Sequence, residues 1–203
     1  AEMMAGLQGA SAMGFAAEMS YGASVAQAKL LTLGNAVLVK FSRGGKLLAT
    51  SRAGDTVLLV DGISATLFRP AAAAKTEMTL VSQDGSAFTV PGLFLPWLGL
   101  LSTNVDREFF GGISGVTPLA QGAPEQPEMT TLAAVMGSTF TGEVWVDRAS
   151  GRPARVIGTW FGSDVAASAA VNFSGWSDTV DASAFDVKGL SEAKTVALEA
   201  LGL

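Results

Sequence analysis

The sequence predicts a mainly β chain: a strongly curved antiparallel sheet or half-open barrel, with short helices at the N-terminus, in the middle and at the C-terminus. Three observations carry that prediction. Phe140–Phe161, FTGEVWVDRASGRPARVIGTWF, sorts apolar from polar residues with a period of two on both sides of a loop. Six short extended runs lie between Lys29 and Val90, separated by turn residues. Such close, even spacing fits an antiparallel meander and not βαβ units. Pro91–Ser102, PGLFLPWLGLLS, then interrupts the alternation with a dense apolar stretch.

In the hairpin the loop is Arg148–Arg152. If Asp147 stands opposite Pro153, Phe140 faces Trp160, Gly142 faces Gly158, Val144 faces Val156 and Val146 faces Ala154. One face is then wholly apolar, and the other carries Thr141, Glu143, Trp145, Arg155 and Thr159. That separation marks a half-buried antiparallel pair. Trp145 opposite Arg155 suits a cation–π contact.

In chain order, Glu2–Met13 reads as a short amphipathic helix with Met3 and Leu7 at helical spacing. Gly14–Gln27 reads as extended, with Phe15, Ala17, Met19 and Tyr21 alternating. Lys29–Arg43 follows as a strand broken near Gly34-Asn35, then Lys46–Arg52, Thr56–Val60 and Ile63–Phe68. Gly44-Gly45, Ala53-Gly54-Asp55 and Asp61-Gly62 supply the turns. RPAAAA (69–74) is a loop, and Glu77–Ser82 and Ala87–Val90 form a hairpin about Gln83-Asp84-Gly85. Pro96 forbids a central strand and suits a first helical turn, so a short helix is expected there. Asn104–Phe110 reads as a connector, 111–122 as a strand around Val116 and Leu119, and Ala123–Glu128 as an acidic Pro-rich loop. Met129–Met136 and Val165–Trp176 are the strands flanking the hairpin. Phe185 anchors a turn region, and Ser191 is placed to cap a closing helix over 192–201. No repeat or linker divides the chain, so residues 1–203 are expected to form a single domain.

Composition narrows the function classes. The chain has 203 residues and no Cys or His, which removes disulfides, thiol nucleophiles, Cys/His zinc sites and His-based triads. A net charge of −5 with thirteen scattered Lys and Arg lacks the basic stripe that nucleic acid requires. Only 15% of residues are charged, and the mean hydropathy is +0.39, so a large apolar surface is expected, as a cavity or an interface. No apolar run is long enough for a membrane-spanning helix. No phosphate loop or calcium loop is present, and Asp106-Arg107-Glu108 reads as a local ion pair. A non-enzymatic protein without cofactor or metal is expected.

The best candidate site is Leu93–Leu101, with Phe94, Trp97, Leu98 and Leu101 as a lid over a ligand, as a patch that docks a partner, or as a plug that is ordinary core. Val144, Val156 and Trp160 on the apolar hairpin face are the residues such a segment would meet.

The order of these elements resembles the bacterial lipoprotein-carrier (LolA/LppX-like) fold, and more closely its uncharacterised predicted periplasmic relatives. The residues that carry the resemblance are Val144-Trp145-Val146-Asp147, Gly151-Arg152-Pro153, the run Ala154–Trp160, the strand Val171–Trp176, and Ala184-Phe185-Asp186-Val187. Met3–Tyr21 resembles the family's opening helix and strand. The resemblance implies a half-open barrel lidded by helices. It also implies export to the periplasm with removal of a signal peptide, and AEMMAG would be the start of the mature chain. Carriers of this fold bind acyl chains and commonly hold an Arg in the lidded cavity, for which Arg43, Arg52 and Arg69 are each candidates. The function expected is binding of a lipid or other hydrophobic ligand; the alternative is an accessory subunit docked on a periplasmic or membrane protein partner.

Overall fold

The computed structural model describes residues 2–83, 87–90, 92–102, 104–119, 130–162 and 165–203. Among the described residues three short helices, α1 (Glu2–Gly9), α2 (Ala23–Gln27) and α3 (Val105–Glu108), accompany fourteen strands. The strands are β1 (Ala12–Tyr21), β2 (Ala36–Ser42), β3 (Lys46–Ser51), β4 (Val57–Asp61), β5 (Ser64–Arg69), β6 (Ala74–Thr79), β7 (Val81–Gln83), β8 (Ala87–Thr89), β9 (Ile113–Leu119), β10 (Thr130–Gly137), β11 (Phe140–Asp147), β12 (Pro153–Phe161), β13 (Ala166–Ser177) and β14 (Lys194–Thr195). Twelve of them form one open sheet in the order β14-β6-β5-β4-β3-β2-β1-β13-β12-β11-β10-β9, and β7 and β8 pair separately. The expected mainly β class is what the chain adopts.

The chain forms two compact units. One comprises Ala1–Ala10, Glu18–Leu30 and Pro96–Ser174; the other comprises Ser11–Ala17, Leu31–Leu95 and Gly175–Leu203. β1 and β13 contribute to both.

In the second unit, β2 to β6 form the expected meander. Its register sets Val39, Ala49, Leu58, Leu67 and Thr76 in one row and Phe41, Leu47, Val60, Ala65 and Met78 in the next. Both rows lie on one face, and every member but Met78 is buried. Period-two alternation on each strand produces this directly. Gly175, at φ +63°, interrupts the alternation of β13, and Trp176 then meets Phe15 of β1 with ring centroids 4.5 Å apart.

The opposite face of β3 to β6 is partly covered by the C-terminal stretch. Val187 and Leu190 pack on Val57, Phe68 and Ala193, and Phe185 is buried as expected. The closing helix expected over 192–201 does not form. Lys194 N donates to Ala73 O (2.9 Å) and Val196 N to Lys75 O (2.8 Å), making β14 a parallel partner of β6. A 3₁₀ turn at Leu198–Leu201 follows, and the Arg69 guanidinium donates to the carbonyls of Leu201 and Gly202. The open polar edge of β6 outcompetes helix propensity here.

Other expectations also shift. The opening helix stops at Gly9, with Met3 and Leu7 buried as expected. Residues 23–27, expected to be extended, are α2. Asn104–Phe110, expected to be a connector, contains α3, whose first turn is capped by Asn104 Oδ1 accepting from Arg107 N at 3.2 Å. The turn after β4 is Gly62-Ile63, since Asp61 pairs with Ser64. The turn about Asp84-Gly85 and the loop 123–128 lie outside the described residues.

The organising hairpin holds the expected register from Phe140↔Trp160 through Trp145↔Arg155, then slips, so that Val146 faces Pro153 instead of Ala154. Pro153 has no N–H to give the ladder, and the chain bulges where it lies. The loop is closed by Asp147, whose Oδ1 accepts from Ser150 N and Ser150 Oγ, both at 2.7 Å.

These two bonds, the side-chain hydroxyl foremost, hold the Asp147 carboxyl below its ordinary pKa. A depressed carboxyl stabilises the fold above its unfolded pKa, and the contribution is lost as pH falls through the folded value. Asp147→Asn is therefore expected to destabilise the protein at pH 7 and to make progressively less difference as pH falls below the ordinary carboxylate range, as read by urea denaturation across a series of pH values.

Candidate functional site

The candidate site lies in the unit that contains Pro96–Ser174. After Pro96 the chain turns into the 3₁₀ segment Leu98–Leu101, and Asn104 N donates to Ser102 Oγ (2.9 Å) to start the approach to α3. Gly99 is required by this packing. A Cβ there would stand 2.9 Å from Phe109 Cα and 3.0 Å from Glu108 O. Trp97, Leu100 and Val105 are fully buried, and Leu101 is 2% exposed.

The segment is tied to the hairpin by rings and by backbone. Phe140 lies 5.2 Å from Phe109, 5.7 Å from Phe110 and 4.9 Å from Trp160, centroid to centroid, and Phe109 meets Phe110 edge-on at 4.8 Å. The Phe140 ring occupies the hollow left by the Gly142–Gly158 pair. A Cβ on Gly158 would come within 2.5 Å of Phe140 Cε2 and 2.6 Å of Thr141 O. Thr139 donates through its amide to Phe110 O (3.2 Å) and through its hydroxyl to Phe109 O (3.1 Å), and Ser138 Oγ donates to Gly111 O (2.6 Å).

Of the residues predicted from sequence, Trp97, Leu101, Val144 and Val156 are buried, while Leu98 and Trp160 are half-buried. Val144 and Val156 are direct cross-strand partners. Phe94 is half-buried and belongs to the other unit, where its amide donates to Leu31 O (2.8 Å) beside a parallel bridge between Leu31 and Leu93.

On the opposite face of the hairpin, the Arg155 guanidinium carbon sits 5.4 Å from the Trp145 ring centroid, the expected cation–π pair. Trp145 is nonetheless only 6% exposed, so this face is polar by composition and yet partly covered. Further along it, Met136 pairs with Thr141, Thr141 with Thr159, and Phe161 stands two residues beyond. Met136 is 58% exposed and Phe161 43%. Sequence reasoning missed both, although the parity that places Thr141 and Thr159 outward also places these two. It also missed Arg152, a loop residue that is buried. A charge flanked by Gly151 and Pro153 carries no signal of burial.

Asp106-Arg107-Glu108 does local work. Asp106 Oδ1 accepts from Ile113 N at 3.0 Å, and Arg107 Nε lies 3.9 Å from Glu108 Oε1. Of the three arginines considered for a lidded cavity, Arg69 holds the C-terminal carbonyls, Arg52 is exposed, and Arg43 is half-buried, with its pKa lowered by burial. Among the described residues no group of three or more Asp and Glu is placed to hold a metal ion, and no helix is long and apolar enough to cross a membrane.

No protein-family model and no curated protein matches the chain. A solved structure of an uncharacterized conserved protein from Thermus thermophilus is similar over 96% of each chain, with TM-score 0.51 and 9% identity, a likeness of fold. MucB, in its complex with MucA(peri), aligns over 97% of this chain and 60% of its own at 11% identity and TM-score 0.39.

Two substitutions measure the packing of this segment. Trp97→Ala is expected to cost about 3–5 kcal/mol in urea unfolding, the cost of emptying a core site; a surface lid would give well under about 1 kcal/mol. Gly158→Ala is expected to cost about 1–3 kcal/mol by overpacking the Phe140 ring. Gly9→Ala, with nothing within 4 Å of the new methyl, serves as the control that loses nothing.

Proposed function

We propose that the protein is a non-enzymatic, exported periplasmic subunit that docks on a protein partner, with its middle helical segment acting as a permanent plug. The observation that carries this reading is the burial of Trp97, Leu100 and Leu101 together with the hydrogen bonds that pin 109–111 to Ser138 and Thr139. A carrier's lid must leave its barrel to admit cargo. This segment is packed as core, so the apolar surface left to a partner is on the outside, and Met136 and Phe161 are exposed apolar side chains on the strands next to it. Exposed large apolar side chains of this kind suit the buried centre of an interface. The absence of Cys and His from the sequence supports a binding role over a catalytic one. No cofactor is needed for it.

A second reading is binding of a lipid or other hydrophobic small molecule. Leu98 and Trp160, both half-buried, favour it, because an acyl chain that loosened the segment would meet them first and then Val144 and Val156.

Affinity purification from native membranes under mild conditions, paired with native mass spectrometry of the eluate, separates the two. A stoichiometric protein partner, released by the double substitution Met136→Glu and Phe161→Glu with unfolding midpoint unchanged, is the expected result. A monodisperse monomer that carries lipid transfers the assignment to the second reading. A monomer with neither overturns both.

A further inference from the structure

The edge of β6 is only partly used by the strand that borders it. Lys194 N donates to Ala73 O (2.9 Å) and Val196 N to Lys75 O (2.8 Å), so the odd-numbered residues turn their backbone groups away from β5. The parity is the same at the other end, where Leu80 N donates to Ile63 O (2.8 Å), on the β5 side. Along a strand next to an antiparallel neighbour, each residue's N–H and C=O share one side, and successive residues alternate. Glu77 and Thr79 therefore aim theirs at the edge that Ala73 and Lys75 present. β14 pairs only with Ala74 and Lys75 and stops short of them, and both are exposed.

β14 holds this edge weakly. It is parallel, the less stable pairing, and two residues long. The carbonyl of Val196, which a longer strand would offer to Glu77 N, instead accepts from Thr76 Oγ1 at 2.9 Å. The chain then leaves the edge for the 3₁₀ turn Leu198–Leu201. Its far end is latched by Arg69, whose Nη1 donates to Leu201 O (3.3 Å) and to Gly202 O. Arg69 Nε is buried and has no hydrogen-bond partner among the described residues, so the latch leaves one donor unspent. The same stretch shows what the edge accepts. Ala193 is buried in the cluster of Val57 and Phe68, while Lys194 and Thr195 are exposed.

We propose that the β6 edge is a strand-acceptor site guarded by the chain's own residues 193–202. Its occupant is an extended segment of another polypeptide that takes the place of β14 and continues along Glu77 and Thr79. Such a segment gains about three backbone bonds that the guard does not make, at Glu77 N, Glu77 O and Thr79 N, and these let it displace the guard. The edge also sets its side chains. A small apolar residue replaces Ala193 over Val57 and Phe68, a basic residue stands beside Glu77, and an apolar one beside Met78. A row of alternating backbone donors and acceptors is complemented by another strand and not by a lipid. The site uses neither Met136 nor Phe161, so it stands or falls apart from the docking surface proposed above.

The test uses the full chain and the peptide Ala-Lys-Thr-Val-Arg-Val-Thr. Its first part repeats residues 193–196, and the rest would face Glu77, Met78 and Thr79 in turn. The control is the same peptide N-methylated at its second, fourth and sixth residues, whose amides would donate to the edge. Binding is read by amide hydrogen exchange in two-dimensional NMR. The first peptide is expected to bind saturably, slowing exchange at Glu77 and Thr79 and speeding it at Lys194 and Val196 as the guard lifts. The methylated peptide is expected to do neither. Arg69→Gln and Thr76→Val each remove hydrogen bonds that hold the guard and are expected to tighten binding by up to about tenfold, with the amides of β3 to β5 reporting that the fold is kept. Absence of slowed exchange at Glu77 and Thr79 in the native protein and in both variants overturns the acceptor site. Slowed exchange there with Lys194 and Val196 unchanged, or equal affinity in all three proteins, overturns the guard.

Discussion

The contact on which the sequence-predicted site depends is a ring laid over two missing side chains. Gly142 and Gly158 face each other across β11 and β12, and their bare backbone leaves a shallow bay in the pleat. Phe140 fills it and is fully buried there. Glycine in a strand ordinarily weakens it; here an aromatic from the same hairpin recovers the lost packing. The ring then presents its other surface to Phe109 and Phe110. Offset and edge-on aromatic pairs add about 0.5–1.5 kcal/mol each beyond area burial, so the cluster holds α3 and the preceding 3₁₀ turn against the sheet. The packing into which Pro96–Ser102 leads is thus set in a hairpin remote from it in sequence.

How much of this was legible follows from which interactions are local. Period two and turn residues, read on single strands, were enough for the existence of the meander strands, and facing pairs for the hairpin register from Phe140 to Trp145, because alternation and facing pairs follow from backbone geometry alone. The facing pairs failed at Val146, where a proline's missing donor outweighs the arithmetic of the turn. The burial of Trp97 and Leu101 was foreseeable as apolar content but not as a choice among plug, lid and patch. The cluster beside them rests on Phe109 and Phe140 meeting at 5.2 Å, a contact between elements that no periodicity encodes. Phe109 and Phe110 themselves were visible only as an aromatic end to a polar connector, since a four-residue helix capped by Asn104 gives too short a pattern to read.

The C-terminal stretch failed for a different reason. Ser191, with Ala193, Val196, Ala197 and Ala200 after it, has the cap and the composition of a helix. A sheet edge was nearby, however, and two backbone bonds to Ala73 and Lys75 plus the Thr76 hydroxyl on Val196 O (2.9 Å) were available only to an extended chain. Helices this short are marginal without a packed face. Val187, Leu190 and Ala193 found theirs in the sheet before any helix could supply one. The same capture that removed the helix keeps 186–191 against the face of β4 to β6.

The two edges of the twelve-stranded sheet are handled unequally. At one, β14 pairs in parallel with β6 and Arg69 clamps the carbonyls beyond it, which leaves only two residues of strand as the outermost edge. At the other, β9 is seven residues long and has no charged side chain, with Val116 and Leu119 exposed. Long uncharged edges invite pairing with another chain unless something interrupts them. Pro118 removes one donor from β9, and a register shift at Met136/Gly137 distorts its ladder. Both devices spoil strand addition. An apolar surface whose backbone edge is blocked favours side-chain packing over β-pairing.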